Sequence, residues 1–427
     1  MTDDDGTDRT RAPRQVAKVL DEVFRREHAR VLSVLVRDLR DLDIAEEALS
    51  DAMAEAVVAW ERDGLPERPA AWLLTAARRR GIDRIRRADA GRRAASRLAA
   101  GTELTVTHDP YDPDASTIPD ERLKLLFTCC HPALAPASRV ALTLRTIAGL
   151  QEPAIAKAFL ISETAMARRL GRARRKIRDA NIPYRVPADH ELPDRLRHVL
   201  HVVELVFNEG YLASEGEDLV RPGLMEEALR LARLLVELLP DEAEVQGLLA
   251  LLLLQHARTP ARTDEAGDLV LLEDQDRSRW STSLLREGTS LVRNALSRGT
   301  PGPYQVQAAI AALHGEAMTF EDTDWRQIVA LYGVLEQLRP TPVVTLNKAV
   351  AVAMSEGPAA GLRLLDGLAD ELGGFHLHAA TRAELLLRDG QHAAARDAFD
   401  EALATVTNER ERAHLLTRRS EAVDAVG

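Results

Sequence analysis

Apolar residues recur three and four positions apart along most of this 427-residue chain, and that spacing narrows its fold more than any other feature. Val19, Leu20, Val23 and Phe24 are followed by Val31, Leu32, Leu35 and Val36, then by Leu49, Met53 and Val57. Each set draws one stripe on an amphipathic helix. Strands favour β-branched and aromatic side chains. Here aromatic residues make up 4% of the chain and isoleucine occurs eleven times. The expectation is an all-α protein with helices built on Ala and Leu. Its length implies about three domains at ~150 residues each.

Composition excludes several classes. The longest unbroken apolar run, Leu248 to Leu254, is far too short to cross a bilayer. Asp3, Asp4 and Asp5 open the chain where a signal peptide would carry basic and then apolar residues. The two cysteines, Cys129 and Cys130, are adjacent and cannot form a disulfide framework. A cytoplasmic protein without membrane association is expected. The net charge of −11 argues at face value against nucleic acid as a partner. Divided along the chain, it says something else. Residues 1–183 carry 32 Lys/Arg against 28 Asp/Glu, a balance of +4, whereas residues 184–427 carry 24 against 39, a balance of −15.

Breaks in the periodicity divide the sequence. Residues 1–15 are polar and expected to be disordered. A first helical domain spans 16–90, interrupted at Asp63-Gly64-Leu65-Pro66, with a second helix from about Pro69 to Arg87. Residues 91–119 contain His108-Asp109-Pro110, Asp112-Pro113 and Ile118-Pro119 without sustained periodicity, and read as a linker. A unit over 120–182 reads as four short helices, capped or begun at Asp120, Pro136, Pro153 and Ser162. Beyond it lie an acidic helical extension over 188–300 and a region of helical repeats over 301–427. Breaks are expected at Asn208-Glu209-Gly210, at Arg221-Pro222-Gly223, and at 299–303 and 339–342. Gly357-Pro358 aligns with Gly390-Gln391 at an offset of 33, with Ala360 over Ala393 and Ala369 over Ala402. Helix pairs at such a period are the mark of tetratricopeptide-like αα repeats, although the consensus Trp/Tyr positions are missing.

Chemistry is concentrated in three stretches. Residues 66–97 hold ten Arg against three acidic residues. Leu73, Ala77 and Ile85 there can face a core, leaving Trp72, Arg78, Arg79, Arg84, Arg86 and Arg87 to neutralise phosphates and hold a single strand. The alternative is a solvated Arg-rich helix. Residues 162–178 carry seven basic side chains against Glu163. With the helix from Pro153 to Phe159 and a three-residue turn they form a helix-turn-helix. Met166, Leu170, Ala173 and Ile177 make its buried stripe. Ser162, Thr164, Arg168, Arg169, Arg172 and Arg175 remain to meet DNA, with Arg168 and Arg172 on the groove side. The third stretch reverses the charge: Asp43, Glu46, Glu47 and Asp51 line one helix, and Glu47 and Asp51 are neighbours four apart. Carboxylates beside an arginine-rich surface suit a basic protein partner.

Taken in this order, the three stretches resemble an RNA polymerase sigma factor of the extracytoplasmic-function group, over about residues 16–180. Ala45-Glu46-Glu47-Ala48-Leu49-Ser50-Asp51-Ala52 is similar to the family's region for the polymerase clamp. Ala71-Trp72-Leu73, Ala77-Arg78, Ile82-Asp83 and Arg86-Arg87 resemble its segment for the −10 element. Ser162-Glu163, Arg169-Leu170 and Arg172-Ala173-Arg174 resemble the fourth-region pattern that reads the −35 element. The resemblance implies core RNA polymerase, promoter double-stranded DNA and the melted non-template strand as partners. Departures at Ser50 and Arg79, at Glu152-Pro153, and at Ala167, Arg168 and Gly171 mean that promoter sequence does not carry over from relatives. Asp120 through Leu134, with Cys129-Cys130-His131-Pro132, and Phe207-Asn208-Glu209-Gly210-Tyr211 resemble a subgroup with a large C-terminal extension. In that subgroup the fused domain is thought to control activity, and small proteins of the YCII/DGPF type are often encoded nearby. Such a partner is implied by the resemblance alone.

The remaining motifs point to no cofactor or metal. Cys129-Cys130-His131 lacks the spacing of a zinc site, and Glu273-Asp274-Gln275-Asp276 lacks that of a calcium loop. His376 and His378 read as packing or surface residues. No nucleophile elbow, phosphate-binding glycine loop or paired-histidine zinc motif is present, so no enzymatic activity is expected. The competing reading is a helix-turn-helix activator with a repeat-built sensor, which leaves the carboxylate row unexplained.

Overall fold

The structure is a computed structural model, and it describes residues 27–95, 118–159, 161–188, 190–213 and 219–425. The expected disordered terminus, the stripe Val19–Phe24, most of the linker and Leu160 of the expected turn lie outside the described residues. Helices dominate, and among the described residues β pairing is confined to one isolated bridge between Thr263 and Leu269. The chain divides between Val202 and Val203 into two compact units.

The first unit contains α1 (27–39), α2 (Leu42–Asp63), α3 (Pro69–Ala95), α4 (Ile118–Cys129), α5 (Pro136–Thr146), α6 (Glu152–Ala158), α7 (Glu163–Asp179) and the start of α8 (Leu192–Tyr211). The stripe that looked continuous from Val31 to Val57 is broken at Arg40, whose φ is 55°, and Asp41 caps the new helix by accepting from Ile44 N at 3.0 Å. Gly64, at φ 87°, ends α2. α2 packs on α3 around Leu49, Trp60, Leu73 and Leu74, and Trp72 meets Trp60 edge to face at 5.6 Å. α3 continues to Ala95, past its expected end at Arg87 and into the stretch assigned to the linker, because Ala and Arg there favour helix. α4 begins at Ile118, two residues before the expected cap Asp120. Pro119 suits a first turn, having no N–H to satisfy.

In the second unit α9 (Pro222–Leu238), α11 (Thr282–Leu296) and α12 (Pro303–Glu316) surround α10 (Ala243–His256). The apolar run Leu248–Leu254 lies entirely within α10 and is buried throughout, as a helix apolar on all sides must be. Asn208-Glu209-Gly210 is not a break: α8 runs straight through it. Gly210 is required by packing, since a Cβ there would lie 2.7 Å from the backbone nitrogen of Met225 on α9.

The repeats follow as α13 (Trp325–Leu338), α14 (Pro342–Glu356), α15 (Pro358–Asp366), the single turn α16 (Ala369–Leu372), α17 (His376–Arg388), α18 (His392–Thr405) and α19 (Glu409–Asp424). The offset of 33 superposes the joint of α14 and α15 on that of α17 and α18. Each joint is a glycine in the left-handed region, Gly357 at φ 98° and Gly390 at φ 75°. Leu346, Leu365, Leu386 and Phe399 fill a shared core, and a TPR-like stack of helix hairpins results.

Gly210→Ala should therefore destabilise the second unit by about 1–3 kcal/mol through overpacking. Gly223→Ala, where nothing lies within 4 Å, should be neutral or stabilising by about 0.5–1 kcal/mol through helix propensity. Denaturant unfolding of the two variants checks the contrast.

Candidate functional site

Helix α7 is the second helix of a helix-turn-helix. Ser162 caps it, accepting from Ala165 N at 3.2 Å, and Met166, Leu170 and Ala173 are buried against α5 and α6. That orientation leaves Ser162, Thr164, Arg168, Arg172 and Arg175 exposed. Arg168, Arg172 and Arg175 have no hydrogen bond or ion pair among the described residues. Arg169 is half-buried, with its guanidinium 5.3 Å from the Phe159 ring centroid. Three unneutralised guanidiniums on one capped helix make a surface for phosphate and base edges.

The opposite edge of the same helix behaves differently. Arg174 reaches across to α2, pairing with Glu46 and, at 3.3 Å, with Asp43. Arg178 pairs with Asp43 as well. Glu46 is only 9% exposed. Burial outweighs the charge of Arg174 and pushes the Glu46 carboxyl above its ordinary range. A second tie joins the same two modules: the Tyr184 hydroxyl lies 2.9 Å from the carbonyl of Ser33 on α1 and 3.2 Å from that of Glu121 on α4. Burial raises its phenol pKa.

The remaining carboxylates of α2 turn to α3. Arg84 donates to Glu47 at 2.5 Å and to Asp51 at 2.6 Å. All four carboxylates of the sequence-derived set are thus engaged within the molecule, two with the recognition helix and two with the arginine helix. The arginines of α3 divide as well. Arg78 donates through Nε to Asp38 at 2.9 Å, and Arg87 to the Asp83 carbonyl of its own helix at 3.2 Å. Arg79 and Arg86 are exposed and carry no hydrogen bond or ion pair among the described residues, while Trp72 is half-buried against Trp60. Asp38 and Arg178 were not singled out by sequence, and Arg174, part of the pattern that resembles the −35 reader, turns to α2 instead. The spacing of Arg174 and Arg178, four apart beside the buried stripe, was the available signal.

The Cys-Cys-His motif is structural. Cys129 and Cys130 are fully buried, with sulfurs 3.0 Å from Thr146 Oγ1 and 3.3 Å from Thr143 Oγ1. Burial drives both thiols upward, Cys130 to about 11, so neither is a thiolate at neutral pH. His378 is buried with Nε2 3.0 Å from the Leu365 carbonyl. Among the described residues no helix is long and apolar enough to cross a membrane.

Comparison with known proteins agrees with this geometry. Residues 23–91 match sigma-70 region 2, residues 124–177 match sigma-70 region 4, and residues 195–296 match a family of unknown function (DUF6596). An uncharacterised protein of Rhizobium meliloti (strain 1021) is 44% identical over 90% of this chain and 91% of its own length. The ECF RNA polymerase sigma factor SigK of Mycobacterium ulcerans (strain Agy99) is 28% identical over 35% of this chain and 79% of its own. SigK of Mycobacterium sp. (strain KMS) is 32% identical over 30% and 65% respectively. With both sigma regions in order, and a helical extension behind them, the chain belongs to the extracytoplasmic-function sigma factors, in a form that carries a large C-terminal domain.

Proposed function

We infer that this sigma factor binds core RNA polymerase through α2 and directs initiation by holding promoter DNA on α3 and α7. The carrying observation is the division of α7 into one edge with three unpaired arginines and another locked onto α2. Arg168 and Arg172, with Ser162, Thr164, Arg169 and Arg175 around them, face the −35 major groove. Trp72, Arg79, Arg86 and Arg87 hold the non-template strand of the −10 element, joined by Arg78 and Arg84 once these leave their carboxylates. Asp43, Glu46, Glu47 and Asp51 dock the polymerase clamp, beside the exposed apolar side chains of Val57 and Val58, the latter 65% exposed. The activity is cytoplasmic and non-enzymatic.

Docking and reading compete in the closed arrangement. Polymerase cannot use Asp43 and Glu46 while Arg174 and Arg178 hold them, so engagement requires the two modules to separate. Arg174→Ala combined with Arg178→Ala should raise affinity for core polymerase by up to about tenfold, because the exposed pair is worth ~1 kcal/mol or less while the buried one is stronger. Fluorescence anisotropy with purified core checks this, and unchanged affinity in a folded variant defeats the competition.

Arg172→Ala should weaken promoter binding by about tenfold and lower the salt slope by about 1, leaving core association intact. Failure of the intact protein to bind core at all would return the chain to the helix-turn-helix activator reading. The second unit is assigned to control of activity. A chain ended after Tyr211, which keeps all of α8, should lose transcription from its promoter in a reconstituted assay. Constitutive activity of that shorter chain would mean that the extension masks the DNA-binding surfaces instead.

A further inference from the structure

Arginines in the acidic second unit generally find carboxylates. Arg221 pairs with Glu209, Arg233 with Glu287, Arg410 with Asp268, and Arg388 with Glu273. Against that background Arg258, Arg262 and Arg277 are anomalous. They lie on and beside two short 3₁₀ turns, Thr259–Ala261 and Arg277–Arg279, which contact each other, and none of the three forms an ion pair among the described residues. The guanidiniums of Arg258 and Arg277 lie 5.4 Å and 4.7 Å from the ring centroid of the same tryptophan, Trp280. That of Arg262 lies 3.5 Å above Tyr211, and Arg262 is only 7% exposed.

The hydrogen-bonding state of the cluster has one sign. Arg258 Nε, Arg262 Nε, Arg277 Nη2 and Trp280 Nε1 are buried donors without an acceptor among the described residues. Arg277 is held in place by its other terminal nitrogen, which donates to the carbonyls of His314 at 2.7 Å and Ala317 at 2.8 Å. Nearby acids among the described residues are engaged elsewhere: Glu273 with Arg388, and Asp276 with Ser278 N at 2.9 Å. Glu321 and Asp322 influence Arg277 through space but form no ion pair with it. Burial, then the charges of Arg258 and Arg277, pull His314 down to about 3, so it adds no charge at neutral pH. Burial acts to raise the Tyr211 phenol, yet the charges of Arg258 and Arg262 and a hydrogen bond from Arg262 outweigh it and hold it below its ordinary range. Buried or half-buried cations without an ion pair and orphaned donors are both costly, and one anion relieves both.

We propose that Arg258, Arg262 and Arg277, with the Trp280 indole N–H, form a binding site in the extension for a small-molecule oxyanion, the phosphate or carboxylate group of an effector. Guanidinium forks match both groups in shape and charge. The site stands apart from the sigma-factor reading, because its test is binding and polymerase takes no part in it.

The test is titration calorimetry of the full-length protein with sodium phosphate, and in a parallel arm sodium malonate, at constant ionic strength set by sodium chloride. Saturable binding of either oxyanion is expected, with the stronger arm separating phosphate from carboxylate chemistry. Arg258→Gln should weaken it about tenfold or more, while Arg326→Gln, an exposed arginine outside the cluster, should leave it unchanged. Because Arg258→Gln removes a like charge, the ligand-free thermal midpoint should hold or rise, which separates a lost site from a lost fold. Should that variant fail to fold, the anion-dependent rise in the wild-type midpoint, absent with chloride, carries the same information. No response of the wild-type protein to either oxyanion beyond that to chloride overturns the proposal. So does undiminished binding in both Arg258→Gln and Arg262→Gln.

Discussion

The ion pair between Glu46 and Arg174 is the constraint on which the arrangement of the first unit depends. Both partners are largely removed from water. An unpaired buried carboxylate costs several kcal/mol, far more than an exposed pair returns. The buried pair therefore anchors α7 on α2, and the half-exposed pair of Arg178 with Asp43 only adjusts it. Once that edge of α7 is fixed, the positions of the other arginines follow from helical geometry. Arg168, Arg172 and Arg175 point elsewhere and stay in water, where their charge remains for a ligand. Stability and the proposed DNA recognition are thus drawn from the same helix by different faces.

Much of this was legible in the sequence because local signals and tertiary packing agree. Ser162 as a cap, Pro136 and Pro153 in first turns, and the stripe Met166-Leu170-Ala173 each specify a helix without reference to distant residues. The repeat around Gly357 and Gly390 was readable for the same reason, since a left-handed joint demands glycine in both copies. At one failure of the reading a distant contact had overruled the local signal. Asn208-Glu209-Gly210 looks like a turn, but Gly210 is small so that α9 can approach. Arg40 gives no local hint of a left-handed backbone, and the cap Asp41 was the clue beside it.

The site residues show the same division. Residue type and spacing found the carboxylates of α2 and the arginines of α3 and α7. They did not reveal that these groups are partners of one another. Arg84 is four residues from neither Glu47 nor Asp51; only the packing of α2 on α3 brings it between them. A helical wheel cannot separate an arginine kept for DNA from one that holds the fold, because both are long, charged and on the surface in one dimension.

That distinction also changes the meaning of the acidic second unit. Its charge of −15 over residues 184–427 suggests a general electrostatic mask. A mask would work through net charge, and its own arginines would be neutralised by the surplus of acids around them. Arg258, Arg262 and Arg277 form no ion pair among the described residues, although acids outnumber bases in the unit. Other arginines of the unit are tied into specific pairs, such as Arg410 with Asp268 and Arg418 with Glu384, that staple the helices to one another. Net charge describes the composition of this unit; the placement beside Trp280 and Tyr211 of three guanidiniums, unpaired among the described residues, is what carries the proposed site.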